Sequence, residues 1–516
     1  MKKINFFTHF GTKAKISAWL REKPAFLRLE EMVLLIIPLF IFFSLRDHFP
    51  LVGLSLLAIV FLAIVFLCRR RLLPGRSFWE FFLTRYLPLL ALIIFVAAIW
   101  NIYHIGTMNR GPDSSDYIRI SKLSLSNIDF WLFEFKLFLT PLIFKVFQRN
   151  WPALNTFYIV IYLFSAFLFI YVVTKFFPRL QVKILAFYLF LMFFLNQQLM
   201  SPWLICALTE TPTMAITLVL LAACGFSFLY QQQPSPQRSI TYLLIAVNIL
   251  LAFFFSFSRD TNSNFLPILL LFYLLIFKNF KQKAVLVFFI LAIFSLNMYS
   301  LRYSGRWKMP LANTVMRGII PDEGLRRLFQ KEYHFPQDDL IMPCSGKFAW
   351  EDIPNKKYIV DLQHLKSRPG DPVPKDWVSR YGMTAYIDFL FHHAGDVIQS
   401  WIGDWVLYNS DLWGYAGGNI KVADKKLNAF LFTFPGDVSF FMAFLIFLFG
   451  IYYLKQNPLV LLCVLHAWMI GFISLIGDAT EWSRHYQQAS MTLKISFLLF
   501  ILHVYAKIRH SESLEA

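Results

Sequence analysis

Acidic and basic residues able to bind a substrate or transfer a proton occur in the connections between long apolar segments. Asp113 and Asp116 follow one apolar segment, and Glu210 begins another. Carboxylates serve as general bases, whereas arginine and histidine bind anionic groups such as phosphates. Two further connections contain both kinds of side chain. Their residues are Arg259, Asp260, Asp478, Glu481, Arg484 and His485.

Each of these groups also has a purely structural interpretation. The run Gly111-Pro112-Asp113 is turn-forming, and its aspartate is of the type that caps a following helix. Glu210 would compensate the dipole of a helix that begins there. The Arg259-Asp260 run would close a tight loop as an ion pair, and the Arg484-His485 run would reach lipid headgroups. A site is therefore indicated only if these residues share one location.

The composition places these residues in a membrane protein. Of 516 residues, 57% are hydrophobic and only 16% are charged, which is too apolar for a soluble protein of this length. The apolar stretches predict an all-α polytopic membrane protein with about 12 transmembrane helices. The stretches are 31–45, 50–68, 86–103, 153–173, 182–200, 207–230, 239–257, 263–277, 284–301, 437–454, 458–477 and 489–506.

The net charge of +18 follows a topology pattern. If the N-terminus is cytoplasmic, most of the excess basic residues, including Arg69-Arg70-Arg71, fall in cytoplasmic connections. This is the positive-inside pattern, so the charge does not indicate a nucleic-acid partner. With both termini cytoplasmic, all the candidate residues lie at the extracytoplasmic face. We expect an integral protein of a bacterial cytoplasmic membrane, in contact with its lipids.

The chain divides into three predicted parts. Residues 1–301 form a transmembrane module with an N-terminal interfacial helix and an acidic first outer loop. Residues 302–436, between spans 9 and 10, are richer in Pro, Gly and Asp, and they form an extracytoplasmic loop domain. Residues 437–516 form the C-terminal transmembrane helices. The chain has no P-loop and no G-x-G-x-x-G run, so a nucleotide partner is not expected.

Several short motifs resemble those of a known enzyme family. The first outer loop reads Asp113-Ser114-Ser115-Asp116, and the amphipathic segment 128–149, predicted to be a helix lying on the outer leaflet, contains Thr140-Pro141-Leu142. Leu208-Thr209-Glu210 opens a span, and the connection over 478–485 is acidic and then Arg-His. This pattern is similar to that of the GT-C fold glycosyltransferases. The resemblance implies a GT-C-like fold, a sugar donor linked to polyprenyl phosphate, and a catalytic base at Asp113 or Asp116.

The chemistry of such a transfer fits these residue types. A departing phosphate needs positive charge more than a proton, and Arg259, Arg484 and His485 would supply it. The acceptor hydroxyl needs a base, for which Asp113 is the first candidate and Asp116 the second. One base and a single displacement predict inversion at the anomeric carbon. The substrate site would also include Glu210, Asp260, Asp478 and Glu481.

Two other functions are consistent with the sequence. A secondary transporter or lipid-linked glycan flippase has a similar layout, but it is expected to carry polar groups at mid-membrane. Here the span centres are predicted to be nearly free of polar side chains, and Lys494 is predicted to snorkel to the outer boundary. An O-antigen-type polymerase or ligase would also act on a lipid-linked substrate, but its active site would rely mainly on arginine and histidine. No residue spacing predicts a metal site, and a divalent cation is left open as a cofactor.

Overall fold

The computed structural model describes residues 113–194, 209–361, 371–399, 436–477 and 482–512, which belong to one compact unit, Ala98–Ala516. The predicted N-terminal interfacial helix and the three spans predicted before residue 104 lie outside the described residues. Every regular element in the described ranges is a helix. The all-α class predicted from the sequence is confirmed for these ranges.

Two short helices, α1 (Ser114–Ser121) and α2 (Leu139–Val146), precede the first apolar group. That group consists of α3 (Trp151–Lys175), α4 (Leu180–Phe194), α5 (Glu210–Gln231), α6 (Arg238–Ser256), α7 (Leu266–Ile276) and α8 (Phe280–Ser304). Helix ends follow local chemistry. The Asn150 side chain accepts a hydrogen bond from the Ala153 amide where α3 begins, and Gly305 ends α8 in the left-handed conformation, with φ of 69°.

After α8 the chain forms a cluster of short helices around its own apolar core. They are α9 (Lys308–Thr314), α10 (Glu323–Glu332), α11 (Asp338–Ile341), α12 (Lys356–Ile359) and α13 (Met383–His392). The Phe329 ring packs against the rings of Trp377 and Phe389 in this core. The Trp377 indole donates a hydrogen bond to the Tyr333 carbonyl at 2.8 Å. We call the described residues 305–361 and 371–399 the loop domain.

The C-terminal helices are α14 (Gly436–Tyr452), α15 (Leu459–Gly477) and α16 (Trp482–Glu512). Among the described residues, five helices are long and apolar enough to cross a membrane: α3, α5, α6, α8 and the Gln488–Ile508 part of α16. Shorter apolar stretches occur in α4, α7, α14 and α15. These helices support a polytopic membrane protein, and a total of about 12 spans remains a prediction.

Helix α5 lies at the centre of the bundle, in contact with α3, α6, α15 and α16. Small residues let neighbouring helices approach closely. A Cβ added to Gly225 of α5 would lie 2.9 Å from a Val172 methyl carbon, and one added to Gly450 would lie 3.0 Å from the Leu461 Cα. Close backbone approach of this kind is a common way for membrane helices to pack, since van der Waals contact replaces the hydrophobic effect.

Each end of the bundle is marked by contacts between connections that are distant in sequence. At one end, the Gln232 side-chain amide donates a hydrogen bond to the Lys455 carbonyl at 3.0 Å. At the opposite end, the Arg306 guanidinium contacts the Asp260 carboxylate at 3.0 Å. The first contact joins two connections that are predicted to be cytoplasmic, and the second joins two that are predicted to be extracytoplasmic. Both contacts therefore agree with the predicted alternation of the spans.

The segment 128–149 is not the single interfacial helix predicted from its amphipathic pattern. A π-helical turn, Asp129–Phe133, is followed by Glu134 in an extended conformation and then by α2. Phe138 is buried, and its ring centroid lies 5.3 Å from that of Phe257. The prediction of one continuous helix was wrong because the charges that interrupt the pattern have partners inside the fold, which hold part of the segment against the protein.

Candidate active site

The Asp113 carboxylate lies beside an ammonium group at the N-terminal end of α1. Its Oδ1 lies 3.0 Å from Nζ of Lys136, and both side chains are partly exposed. The Asp113 carbonyl starts the helix by accepting the Tyr117 amide, but its side chain makes no capping hydrogen bond. Helix capping therefore does not explain this carboxylate, which is held by an ion pair that remains accessible to solvent.

Asp116 lies one turn into α1 and belongs to a second charged group. Its Oδ1 is 3.8 Å from Nε of Arg119, whose Nη2 donates a hydrogen bond to Oε2 of Glu134 at 3.0 Å. The Glu134 side chain is almost completely buried. A buried carboxylate is costly unless it is paired, so Arg119 fixes α1 to the segment that leads into α2.

Arg306 extends this group to the end of α8. Only 5% of the residue is exposed, and Nε lies 3.0 Å and 3.2 Å from the two carboxylate oxygens of Asp260. Its Nη1 donates to the Glu134 carbonyl at 3.2 Å, and its Nη2 donates to the Ser300 hydroxyl at 3.1 Å. All three guanidinium nitrogens are thus used. Asp260 stays about one-third exposed.

Glu210 is the first residue of α5, and only 2% of it is exposed. The Tyr158 hydroxyl of α3 interacts electrostatically with both Glu210 and Tyr117. The Tyr117 ring in turn lies 5.9 Å from Nζ of Lys136, the partner of Asp113. The structure therefore brings Glu210 to the same end of the bundle as Asp113, through two tyrosines.

The remaining predicted residues are described in part or not at all. Arg259 directly precedes Asp260 in extended conformation and leads into a 3-10 turn, Asp260–Phe265. Arg484 and His485 lie in the first turn of α16, where the structure describes the backbone but not these side chains. Asp478 and Glu481 lie outside the described residues.

The residues that join the site, and that the sequence analysis did not select, are Arg119, Glu134, Lys136, Arg306, Tyr117 and Tyr158. Glu134 and Lys136 could be identified from the sequence, because they are charged residues inside an apolar stretch. Arg306 could not be identified in this way, since it is one of many basic residues in the region after α8.

A second buried charge lies just beyond Arg306, in the loop domain. Burial lowers the pKa of the Lys308 ammonium, whereas the nearby carboxylates of Asp376 and Asp361 act in the opposite direction. The Asp376 side chain also accepts the Ser379 amide at 2.9 Å. This group links Asp361 and the chain around Asp376 to α9, and we assign it a structural role.

The centre of the bundle contains polar side chains, contrary to the prediction of nearly apolar span centres. His466 of α15 contacts the Thr492 hydroxyl through Nδ1 at 3.0 Å and the Gln488 amide nitrogen through Nε2 at 3.3 Å. The same amide nitrogen donates to the Thr217 hydroxyl of α5 at 2.9 Å. We call Thr217, His466, Gln488 and Thr492, all fully buried, the interior polar group.

Lys494 also differs from its prediction. It is 8% exposed, and Nζ is buried with no hydrogen-bond partner among the described residues, so it does not snorkel. A further buried contact joins α6 and α7, where the Tyr273 hydroxyl donates to Oδ1 of Asn248 at 2.9 Å. Amphipathic patterns do not predict such side chains because they face neighbouring helices rather than lipid.

No group of three or more His, Cys, Asp or Glu residues suited to a metal ion occurs in the described ranges. The cysteines described there, Cys224, Cys344 and Cys463, are buried thiols without disulfide bonds.

The chain was compared with known proteins in three ways. No protein-family model matches it. No curated protein and no solved structure matches it either.

Proposed function

We propose that this protein is a membrane glycosyltransferase that moves a sugar from a polyprenyl-phosphate donor to an acceptor hydroxyl, with inversion. The observation that carries the proposal is the charged network at one end of the apolar helices, where Asp113, Asp116 and Asp260 lie with their cationic partners. A lipid-linked donor places its phosphate and sugar at the membrane boundary. Ionisable residues at that depth are candidates for binding and catalysis.

Asp113 is the proposed general base. Its carboxylate is partly exposed and is oriented by Lys136 rather than consumed as a helix cap. A base must be held within hydrogen-bond distance of the hydroxyl that it deprotonates, and the ion pair provides that orientation. Asp116, whose contact with Arg119 is longer and more exposed, is the second candidate.

The donor phosphate is proposed to bind cationic groups at the same end. Arg259 lies between α6 and the turn that Arg306 contacts, so its backbone position is fixed by an ion pair whose arginine is buried and whose aspartate is partly exposed. Arg484 and His485 lie at the N-terminal end of α16, where the helix dipole adds positive potential. Positive charge stabilises a departing phosphate as negative charge develops on it.

The test is direct turnover by the full-length protein in lipid nanodiscs, supplied with polyprenyl-phosphate-linked hexoses and aminosugars. The measured quantity is release of polyprenyl phosphate. We expect release by the wild-type protein and strongly reduced release by Asp113→Asn. Absence of release with every donor, from protein that unfolds cooperatively, would overturn the proposal.

A lipid-linked glycan flippase or secondary transporter is the second candidate, because the interior polar group and Lys494 lie inside the bundle. Intramembrane polar residues often line substrate paths in carriers. Proteoliposomes distinguish the two functions. A carrier moves labelled lipid-linked sugar between leaflets without cleaving it, whereas a glycosyltransferase cleaves the sugar–phosphate bond.

A further inference from the structure

The loop domain displays a layered stack of side chains on its surface. The guanidinium carbon of Arg317 lies 4.4 Å from the centroid of the Phe348 ring. The Phe348 ring is stacked on the Trp350 ring, with centroids 4.3 Å apart and an angle of 11° between the planes. Trp350 is 53% exposed. The stack thus covers one face of the indole and leaves it a large surface open to solvent.

The turn that carries the stack is fixed by hydrogen bonds to buried parts of the loop domain. The Gly346 amide donates to the Met316 carbonyl at 2.8 Å, and Gly346 has φ of 73°, a conformation that favours glycine. The Ala349 amide donates to Oδ1 of buried Asn313 at 2.9 Å. Trp350 therefore needs little further ordering to bind a ligand, which reduces the entropic cost of binding.

The chemistry around the indole favours a ligand that is flat and apolar on one face and polar at its edge. Exposed charged side chains of both signs belong to the same turn and stack: Arg317 contacts the Phe348 ring, and Lys347 and Asp352 lie within three positions of Trp350 in the sequence. A pyranose ring has this form, because its C–H groups stack on an aromatic ring while its hydroxyls meet donors and acceptors. An apolar partner would have to desolvate these charges at considerable cost.

We propose that the exposed face of Trp350 binds a pyranose ring of a glycan, with Arg317 and Phe348 as its support. That this glycan is the acceptor substrate rests on the proposed glycosyltransferase function, whereas the binding itself does not. The proposed transferase would then bind its acceptor at the loop domain. It would bind its donor at the end of the helix bundle where Asp113 lies.

The experiment measures binding of soluble neutral, amino and acidic tetrasaccharides to the full-length protein in nanodiscs, by saturation-transfer NMR without any donor. Trp350→Ala is expected to weaken binding at least about 10-fold, as loss of an aromatic stacking partner does. Trp350→Phe should keep most of the affinity. Tyr358→Ala is the matched control, since Tyr358 is an exposed aromatic residue of the same domain outside the stack, and it should bind as the wild type does.

The results separate this proposal from the proposed function. Equal glycan binding by Trp350→Ala and wild type, or no binding of any tetrasaccharide by the wild type, would overturn the glycan site whatever the donor assay shows. If Trp350→Ala binds glycans normally but is less stable than wild type in nanodiscs and not in detergent, Trp350 is assigned to the membrane interface. That result also overturns the proposal. Glycan loss in Trp350→Ala with no polyprenyl phosphate release by wild type would support the site and reject the transferase.

Discussion

Arg306 and Asp260, 46 positions apart, form a two-oxygen ion pair in which the arginine is nearly buried and the aspartate is partly exposed. The pair joins the beginning of the loop domain to the turn that follows α6. It therefore holds Arg259, a proposed phosphate ligand, at the end of the bundle where Asp113 lies.

The first prediction concerns the stability that Arg306 provides. Arg306→Gln should lower the free energy of unfolding by about 2–4 kcal/mol, because it removes the charged partner of Asp260 and two further hydrogen bonds; the range is reduced for the exposure of Asp260. Chemical unfolding in detergent measures the change. Arg327→Gln is the control, since Arg327 forms an exposed ion pair with Glu323 and should cost less than about 1 kcal/mol. Equal effects of both substitutions would contradict the assignment.

The second prediction concerns the base. Asp113→Asn should reduce turnover by about 100- to 10,000-fold with nearly unchanged donor affinity, because the amide cannot take the acceptor proton. Release of polyprenyl phosphate and donor binding are measured side by side. Asp116→Asn is the paired control and should be milder. Full activity of Asp113→Asn would refute its role, and collapse in Asp116→Asn alone would move the base to Asp116.

The third prediction concerns the donor phosphate. Arg259→Gln and Arg484→Gln should each weaken binding of a polyprenyl phosphate by about 10-fold or more, as expected for loss of one charge-assisted contact. Arg238→Gln serves as the control because Arg238 begins α6 at the opposite end of the bundle. If all three variants bind the lipid equally, the two arginines contact headgroups only.

The fourth prediction separates structural and transport roles of the interior polar group. Gln488→Leu removes the hydrogen-bond partner of buried Nε2 of His466 and the donor to the Thr217 hydroxyl, and it should cost about 1–3 kcal/mol of stability. For a glycosyltransferase, the rate per folded molecule should stay within about threefold of wild type, because the group does not touch the reacting atoms. Ser496→Ala is the control, since among the described residues the Ser496 hydroxyl bonds within its own helix. Loss of lipid movement between leaflets would favour the carrier instead.

The fifth prediction concerns topology. In a background without native cysteines, Glu332→Cys of the loop domain should react with a membrane-impermeant thiol reagent added outside the cell. Ser235→Cys, between α5 and α6, should react only after the membrane is opened. Both residues are exposed, so accessibility in the fold does not limit labelling. The reverse pattern would place Asp113 and Arg306 on the cytoplasmic side.

The sequence predicts the long apolar helices because hydrophobicity alone determines them. It also identifies Asp113 and Glu210, since a charge next to an apolar run is visible without knowledge of the fold. It does not predict the break between Asp129 and α2, which depends on the Glu134 contacts with Arg119 and Arg306. It also fails to predict the interior polar group. The amide and hydroxyl residues are scattered through apolar runs of the sequence, and they contact one another only where three helices meet in the fold.

The contact between Thr217 and Gln488 has a consequence for biosynthesis. The two residues are 271 positions apart, so α5 leaves the ribosome long before its partner helix is made. At about 5–20 residues per second, translation of the intervening chain takes on the order of 15–50 s. During that delay the Thr217 hydroxyl can still bond the Thr213 carbonyl of its own helix, at 2.7 Å, so insertion of α5 does not need to wait. Final pairing of the helices is then a late step of assembly, and substitutions in α15 or α16 should expose a polar face of α5 to membrane quality control.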